Sequence, residues 1–226
     1  MTAAKLSSIQ QQIEKALNRY ARISPARTKG LLPTKSLQGK LYEASVLAEV
    51  CKQLHTQEGF TIRLSEGTRL MFRQKGGAIT DEFPFLEIIH HGAVIAELHT
   101  DIYFTTLSNA HKAGKGPSSP GDYHELDIAL IKPGIKNGYP SFKDVFIAIE
   151  CKNKVINKGT IREILGFRRE LSTLQELNPT GFNKWPMNEV PSFPPSVQMF
   201  YCSDRYIKKF EPNCKIFGIQ LEWYQM

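Results

Sequence analysis

The chain predicts an α/β fold, a mixed central β-sheet flanked by helices, with a helical arm at the N-terminus. Three features of the sequence point there. Residues 7–22 and 36–55 carry apolar side chains at helical spacing: Ile9, Ile13, Ala16, Leu17, Tyr20 and Ala21 in the first, Leu47, Val50, Cys51 and Leu54 in the second. From residue 61 onward the apolar residues gather instead into short runs bounded by Gly, Pro, His and Asp. One of these runs, Val145-Phe146-Ile147-Ala148-Ile149, has no polar break at all, the pattern of a strand covered on both faces.

Taken in order, the first helix closes at Pro25, whose ring cannot continue it. Residues 27–35 form a basic connector. Arm and connector together occupy residues 1–35, and the main domain 36–226. The second helix stops at Gly59, a residue free to adopt the left-handed turn that ends helices. Strands are expected at 61–64, 68–73, 85–90 and 93–105, with His91-Gly92 the turn between the last two. A Gly- and Pro-rich loop spans 108–122. Strands at 125–131 and 145–152 are joined by a connection holding Pro133, Gly134, Gly138 and Pro140, and pair most simply as an antiparallel hairpin. A helix over 159–177 is stopped by Pro179. A Pro-rich loop around Trp185 then leads to a strand at 197–202, a short helix at 204–210 and a final strand at 216–223.

At 226 residues the chain is long enough for one large domain with a substantial core. No apolar run approaches the roughly 18 residues that would span a bilayer. The polar opening, Met1-Thr2-Ala3-Ala4-Lys5, shows no secretory signal, so a cytoplasmic protein without membrane attachment is expected. Cys51, Cys151, Cys202 and Cys214 are scattered without CxxC spacing, as reduced thiols are, rather than grouped as in a zinc site or disulfide framework. The net charge of +7 favours an anionic partner such as nucleic acid.

The apolar run 145–149 ends abruptly in Glu150-Cys151-Lys152. Of the 22 acidic residues, Glu150 alone is followed two positions later by Lys. Strand alternation puts Glu150 and Lys152 on one face and Cys151 on the other. Two opposite charges at the end of a buried strand are costly unless paired, hydrated or bound to metal. Hairpin pairing brings Asp127, near the start of one strand, close to Glu150, near the end of the next. Two converging carboxylates make an oxygen site suited to Mg²⁺, and Lys152 on the same face can orient or deprotonate a water or stabilise charge on a phosphate. Such a site serves phosphodiester hydrolysis.

Asp127, the Glu150-Cys151-Lys152 strand end, the helix after it and Glu43 in the helix before it together resemble the PD-(D/E)xK nuclease superfamily. The likeness spans about residues 36–202. Leu126 stands where many members have Pro. The resemblance implies a restriction-endonuclease-like core and a Mg²⁺-dependent DNA endonuclease, with Mn²⁺ able to substitute. It implies that Asp127, Glu150 and the Cys151 backbone carbonyl ligate metal, that Lys152 acts on water and phosphate, and that Glu43 holds a metal-bound water or a second metal. Restriction or antiphage defence is the setting it suggests. A repair or recombination nuclease, the nuclease subunit of a larger machine, and a non-catalytic DNA-binding scaffold are the alternatives.

Other candidates are weaker. Lys112 and Lys115 in the loop, Lys154 and Lys158 past the strand, and Arg162 on the following helix are candidate contacts to the DNA backbone. Arg168 shares that helix's apolar stripe, which suits a structural role. Glu49 competes with Glu43, although six positions on it faces differently. Arg27, Lys29, Lys35 and Lys40 form the densest basic run, which is usually a solvated face. Glu125 suits a solvated strand start, and His90-His91 suits a turn. Cutting double-stranded DNA requires two sites, so a homodimer or larger homo-oligomer is expected, with room for an activating or recognition partner protein.

Overall fold

The strands pair in the order in which they occur along the chain. In the computed structural model, β1 (Thr61–Leu64), β2 (Leu86–His90), β3 (Ala93–Thr105), β4 (Tyr123–Ile131), β5 (Val145–Lys152), β6 (Val197–Cys202) and β7 (Ile219–Trp223) form one seven-stranded sheet. The described residues are 3–29, 31–32, 37–65, 69–112, 119–173, 182, 184–185 and 192–226. Strands β1 to β5 are antiparallel neighbours, while β5–β6 and β6–β7 are parallel. Parallel neighbours need a crossover. The first is α5 (Lys158–Leu171), and the second is a 3₁₀ turn (Arg205–Phe210) running into α6 (Glu211–Lys215). The remaining helices are α1 (Ala3–Ala21), α2 (Pro25–Thr28), α3 (Leu37–Thr56) and α4 (Leu107–Ala110). The result is a mixed α/β sheet flanked by helices. No helix among the described residues is long and apolar enough to cross a membrane.

The helices divide the core. Ile9, Ile13 and Leu17 of α1 and Leu41, Leu47, Val50 and Leu54 of α3 share one apolar cluster with Ile128, Leu130, Ile147 and Ile149 of the central strands. Helix α3 is buried nearly all round because α1 covers the side turned from the sheet. The apolar stripe of the N-terminal helix is therefore spent inside this core. The boundary drawn between residues 35 and 36 falls among residues outside the described set. A second cluster gathers Ile102, Phe104, Leu126, Ala129, Ile131, Val145 and Ala148 with Leu171 of α5.

Several elements differ from expectation, each for a local reason. Pro25 does not simply close α1; it occupies the first turn of α2, where its missing N–H costs nothing. Residues 69–73 form no strand. Among the described residues their backbone bonds are Leu70 N–H to the Arg27 carbonyl and Phe72 N–H to the Leu31 carbonyl, and Arg27 belongs to α2 rather than to a strand. The loop 108–122 holds α4 and a 3₁₀ turn, Pro120–Asp122, closed by a capping box between Ser119 and Asp122. Helix α5 ends at Leu171, where Ser172 turns extended and Thr173 pairs with Phe193. The proposed stop at Pro179 lies outside the described residues. The last strand starts at Ile219, three residues late, since Gly218 takes φ 69°. His91 and Gly92, at φ 48° and 81°, make the expected tight turn between β2 and β3.

Candidate metal-dependent active site

The register of the three central strands places three carboxylates abreast. On β3 and β4, Thr100 pairs with Ile128 and Ile102 with Leu126, which leaves Asp101 opposite Asp127. On β4 and β5 the pairing ends at Ile128–Ile149, so one step further Asp127 faces Glu150. The ladder opens along this row. Asp101 takes φ 53°, in the left-handed region that Asp tolerates better than most residues. Its carbonyl accepts instead from Gly77 N–H at 3.1 Å. The even-numbered residues of both strands change cores across the break: Leu98, Ile128 and Leu130 join the first cluster, Ile102, Phe104 and Leu126 the second. Backbone strain of this kind is held in place by surrounding structure and concentrates at functional sites.

Each acid is then fixed by a neighbour. The Cys151 N–H donates to Asp127 Oδ2 at 2.6 Å, which replaces a missing ladder bond and fixes the plane of the carboxylate. Lys152 Nζ donates to Glu150 Oε1, on one face as strand alternation requires. Glu43 arrives from α3, and Lys40 one turn before it donates to Glu43 Oε2 at 2.7 Å and to Asp101 Oδ1. Asp101 is fully buried, and its Oδ2 has no partner. Lys40, Glu43, Asp127, Glu150 and Lys152 line one open cleft of about 350 Å³, closed on the other side by Thr160, Glu163, Ile164 and Phe167 of α5. Asn157 starts that helix by accepting from Thr160 N–H at 3.1 Å.

Burial and mutual repulsion leave these acids reluctant to ionise. Burial, then Asp127, pushes the Glu43 carboxyl up to about 8. Burial, then Asp127, raises Glu150 to about 7, against the pull of Lys152. Asp101 rises to about 6 through burial, despite Lys40, and Asp127 is also raised, mainly by burial. Burial alone would lower Lys152, but Glu150 and Asp127 more than offset this and hold it charged. Glu43, Asp101, Asp127 and Glu150 against Lys40 and Lys152 leave two formal negative charges in excess at the centre of the site, and Glu125 and Glu163 line the same cleft.

That donor set fits a divalent cation. Glu43, Asp101 and Asp127 each offer an oxygen within 4.8 Å of the others, a spread that oxygens around one hard cation can adopt. The unpartnered Asp101 oxygen is an acceptor already desolvated. Glu150 stands outside this three-residue group, turned toward Lys152.

The remaining candidates scatter. Glu49 bonds Lys52 and Gln53 on its own helix. Lys112 pairs with the buried Asp122, and Lys115 lies outside the described residues. Lys154 is exposed just beyond β5. Lys158 and Arg162 are exposed, but helical spacing puts them on the side of α5 away from the cleft-lining residues. Glu125 accepts from Gly76 N–H at 2.8 Å at the cleft edge. That approach is close enough that a Cβ on Gly76 would lie 2.7 Å from the Glu125 side chain. The rings of His90 and His91 meet at their turn, tilted 47° to each other.

Sequence reasoning missed Asp101 and misplaced Lys40. Asp101 is one of two acids, with Glu97, inside a 13-residue strand, and that interruption was its signal. Lys40 belongs to the basic run assigned to a solvated face, yet it is 8% exposed.

No protein-family model matches the chain, and no curated protein does. Among solved structures it is similar to NucC of P. aeruginosa ATCC27853 in its cAAA-bound form, at 10% identity and a TM-score of 0.34, over 97% of this chain and 74% of that one. It is also similar to NucC of E. coli MS115-1 in its cAAA-bound form, at 10% identity and a TM-score of 0.32, with the same coverage. Superpositions this loose establish neither a shared fold nor a shared activity, so function is argued from the residues.

Proposed function

We propose that the chain is a Mg²⁺-dependent endonuclease that hydrolyses phosphodiester bonds in DNA. The row of Asp101, Asp127 and Glu150 beside Lys152 in an open cleft carries this reading. Asp127, Glu150 and the Cys151 carbonyl hold the cation, Mg²⁺ or Mn²⁺ in its place, with Glu43 on the side of α3. What such a cation supplies when bound is Lewis-acid polarisation of a phosphate oxygen and acidification of a water. Lys152 is the residue that meets the phosphate. It is held as an ammonium by Glu150 and Asp127, so its role is to orient the attacked phosphate and neutralise charge that develops on it, rather than to take a proton. The Cys151 amide keeps Asp127 in one orientation, which spares the site that reorganisation during reaction.

A net charge of +7 suits a polyanionic substrate. Lys154 is the remaining exposed lysine placed just past the strand end, where it meets the DNA backbone. With one such row among the described residues, two copies act together to cut both strands. A place in restriction or antiphage defence follows from the superfamily resemblance alone. The reading is tested by incubating supercoiled plasmid with the purified chain, with and without Mg²⁺. Metal-dependent nicking that Lys152→Ala removes supports it. Absence of metal-dependent cleavage of any DNA or RNA by a folded, Mn²⁺-binding wild type points instead to a nuclease-fold binding protein.

A further inference from the structure

We propose that Lys40 is a tethered cation standing in a second divalent-metal position formed by Glu43, Asp101 and Asp127, so that loading of that position and withdrawal of the Lys40 ammonium are a single exchange. This rests on the metal-dependent reading above and adds Lys40 and Asp101 to the site.

The contacts of Lys40 carry the inference. Its ammonium touches Glu43 and Asp101, two of the three carboxylates whose oxygens lie within 4.8 Å of one another. A second cation bound by the same oxygens would lie against the ammonium and be strongly repelled, so the two cannot share the position. Lys40 also serves the position incompletely. Asp101 Oδ2 remains buried without a partner, a state that is costly for a carboxylate oxygen. An ammonium offers three donors and one charge, whereas Mg²⁺ offers about six coordination positions and two charges. Exchanging the single charge of Lys40 for the two of a divalent cation lowers the two formal negative charges left over by Lys40 and Lys152 to one.

The exit path is present. Lys40 lines the cleft together with Asp127 and Lys152, so its flexible stem can swing toward the cleft without crossing the core. It sits in the first turns of α3. The neighbouring Gly39 is exposed, with nothing within 4 Å of where a Cβ would stand. Two of the three carboxylates have no such freedom. Asp101 is fixed by its left-handed backbone and Asp127 by the Cys151 amide. Against these two fixed acids, the lysine is the cation free to withdraw.

The test measures binding rather than cleavage. Mn²⁺ titration calorimetry on the full chain should show a binding event that Asp101→Asn removes, and in Lys40→Met that event should tighten by about tenfold or more. In parallel, the ¹³Cε and Hζ signals of Lys40, assigned by their loss in Lys40→Arg, should move as Mg²⁺ is added to the wild type. Equal or weaker Mn²⁺ binding by a folded Lys40→Met, or Lys40 signals that stay still while Mg²⁺ saturates the protein, overturns the exchange. Should Lys40→Met not fold, the wild-type Mg²⁺ titration decides alone. A wild type that binds metal and exchanges Lys40 but cleaves nothing sinks the nuclease reading and leaves the exchange standing.

Discussion

Arg168 and Lys40 are both buried cations, 2% and 8% exposed, and the fold accommodates them in opposite ways. Arg168 pairs with no carboxylate among the described residues. Its Nε donates to the Phe217 carbonyl at 2.8 Å, one terminal nitrogen to Ser196 Oγ at 2.9 Å and the other to the Ser196 carbonyl at 3.1 Å. Neutral acceptors meet each of the three guanidinium nitrogens, and α5 is thereby tied to the segments leading into β6 and β7. Burial, with Arg169 nearby, lowers its pKa to about 10, which still leaves it charged at neutral pH. Lys40 sits among acids in excess, and one of their oxygens has no partner. A buried charge that is fully answered belongs to the scaffold. A cluster with charge left over is built for something that binds.

The largest effect that can break this comparison is on activity. Asp127→Asn, Glu150→Gln and Lys152→Ala should each lower Mg²⁺-dependent plasmid nicking by about 10³-fold, the scale of losing one preorganised electrostatic group. Thermal unfolding of the metal-free protein should barely fall, and should rise where a repelled acid is removed. A variant that loses activity only in step with its stability would make these residues scaffold like Arg168.

The reverse substitution is next in size. Arg168→Met leaves the buried Ser196 carbonyl and the part-buried Phe217 carbonyl without these donors, which should cost about 3 kcal/mol. A lower urea midpoint measures that loss, while nicking per folded molecule stays unchanged. Loss of cleavage in a fully folded Arg168→Met would erase the distinction between the two cations.

Much of this was legible in the sequence because it depends on local pattern. The alternation of β5 placed Glu150 and Lys152 together, and antiparallel pairing across a long turn brought Asp127 beside them. Helical spacing flagged Arg168 as sharing an apolar stripe. Asp101 was not legible. Its partner lies 26 positions away by register, no spacing motif joins them, and the left-handed residue that aims it reverses the very alternation used to assign faces. Lys40 failed for a related reason. Charge density along the chain cannot tell a solvated lysine from one drawn inward by two acids on other elements. The supposed strand at 68–73 has suitable residues, but among the described residues 69–73 meet no strand that would complete a ladder, and strand propensity depends on such a partner.

The pH dependence of the metal-free protein is a gentler probe, and its sign follows from linkage. Glu43, Asp101 and Glu150 have folded pKa values of about 8, 6 and 7, above their ordinary 4.5, 3.8 and 4.5. The folded state therefore holds more protons than the unfolded state over this range, and stability falls as pH rises from about 4 through 8. Melting temperature in EDTA should be higher at pH 5.5 than at pH 8, and Mg²⁺ should remove most of the difference by favouring the ionised acids. A flat profile in EDTA would mean that these carboxylates are already answered, as Arg168 is.

Glu43→Gln isolates the smallest part of that slope. Glutamine keeps an oxygen for Lys40 but has no charge to bury, so it removes the share of the pH dependence that belongs to Glu43 and little else. Near pH 5 the wild-type residue is protonated in the fold and the two proteins should differ little. As pH rises toward 8 the unfolded glutamate is ionised while the folded one resists. The variant should then become the more stable by about 1 kcal/mol, allowing for partial solvent screening, or roughly 2–4 °C in melting temperature at this size. Arg168→Met supplies the contrast, since Arg168 stays charged throughout this range and its stability deficit should not change with pH. If the Glu43→Gln difference is equally constant, Glu43 is an ordinary capping partner of Lys40. If it grows with pH and vanishes when Mg²⁺ is added, Glu43 carries part of the excess charge that sets the cleft apart from the scaffold.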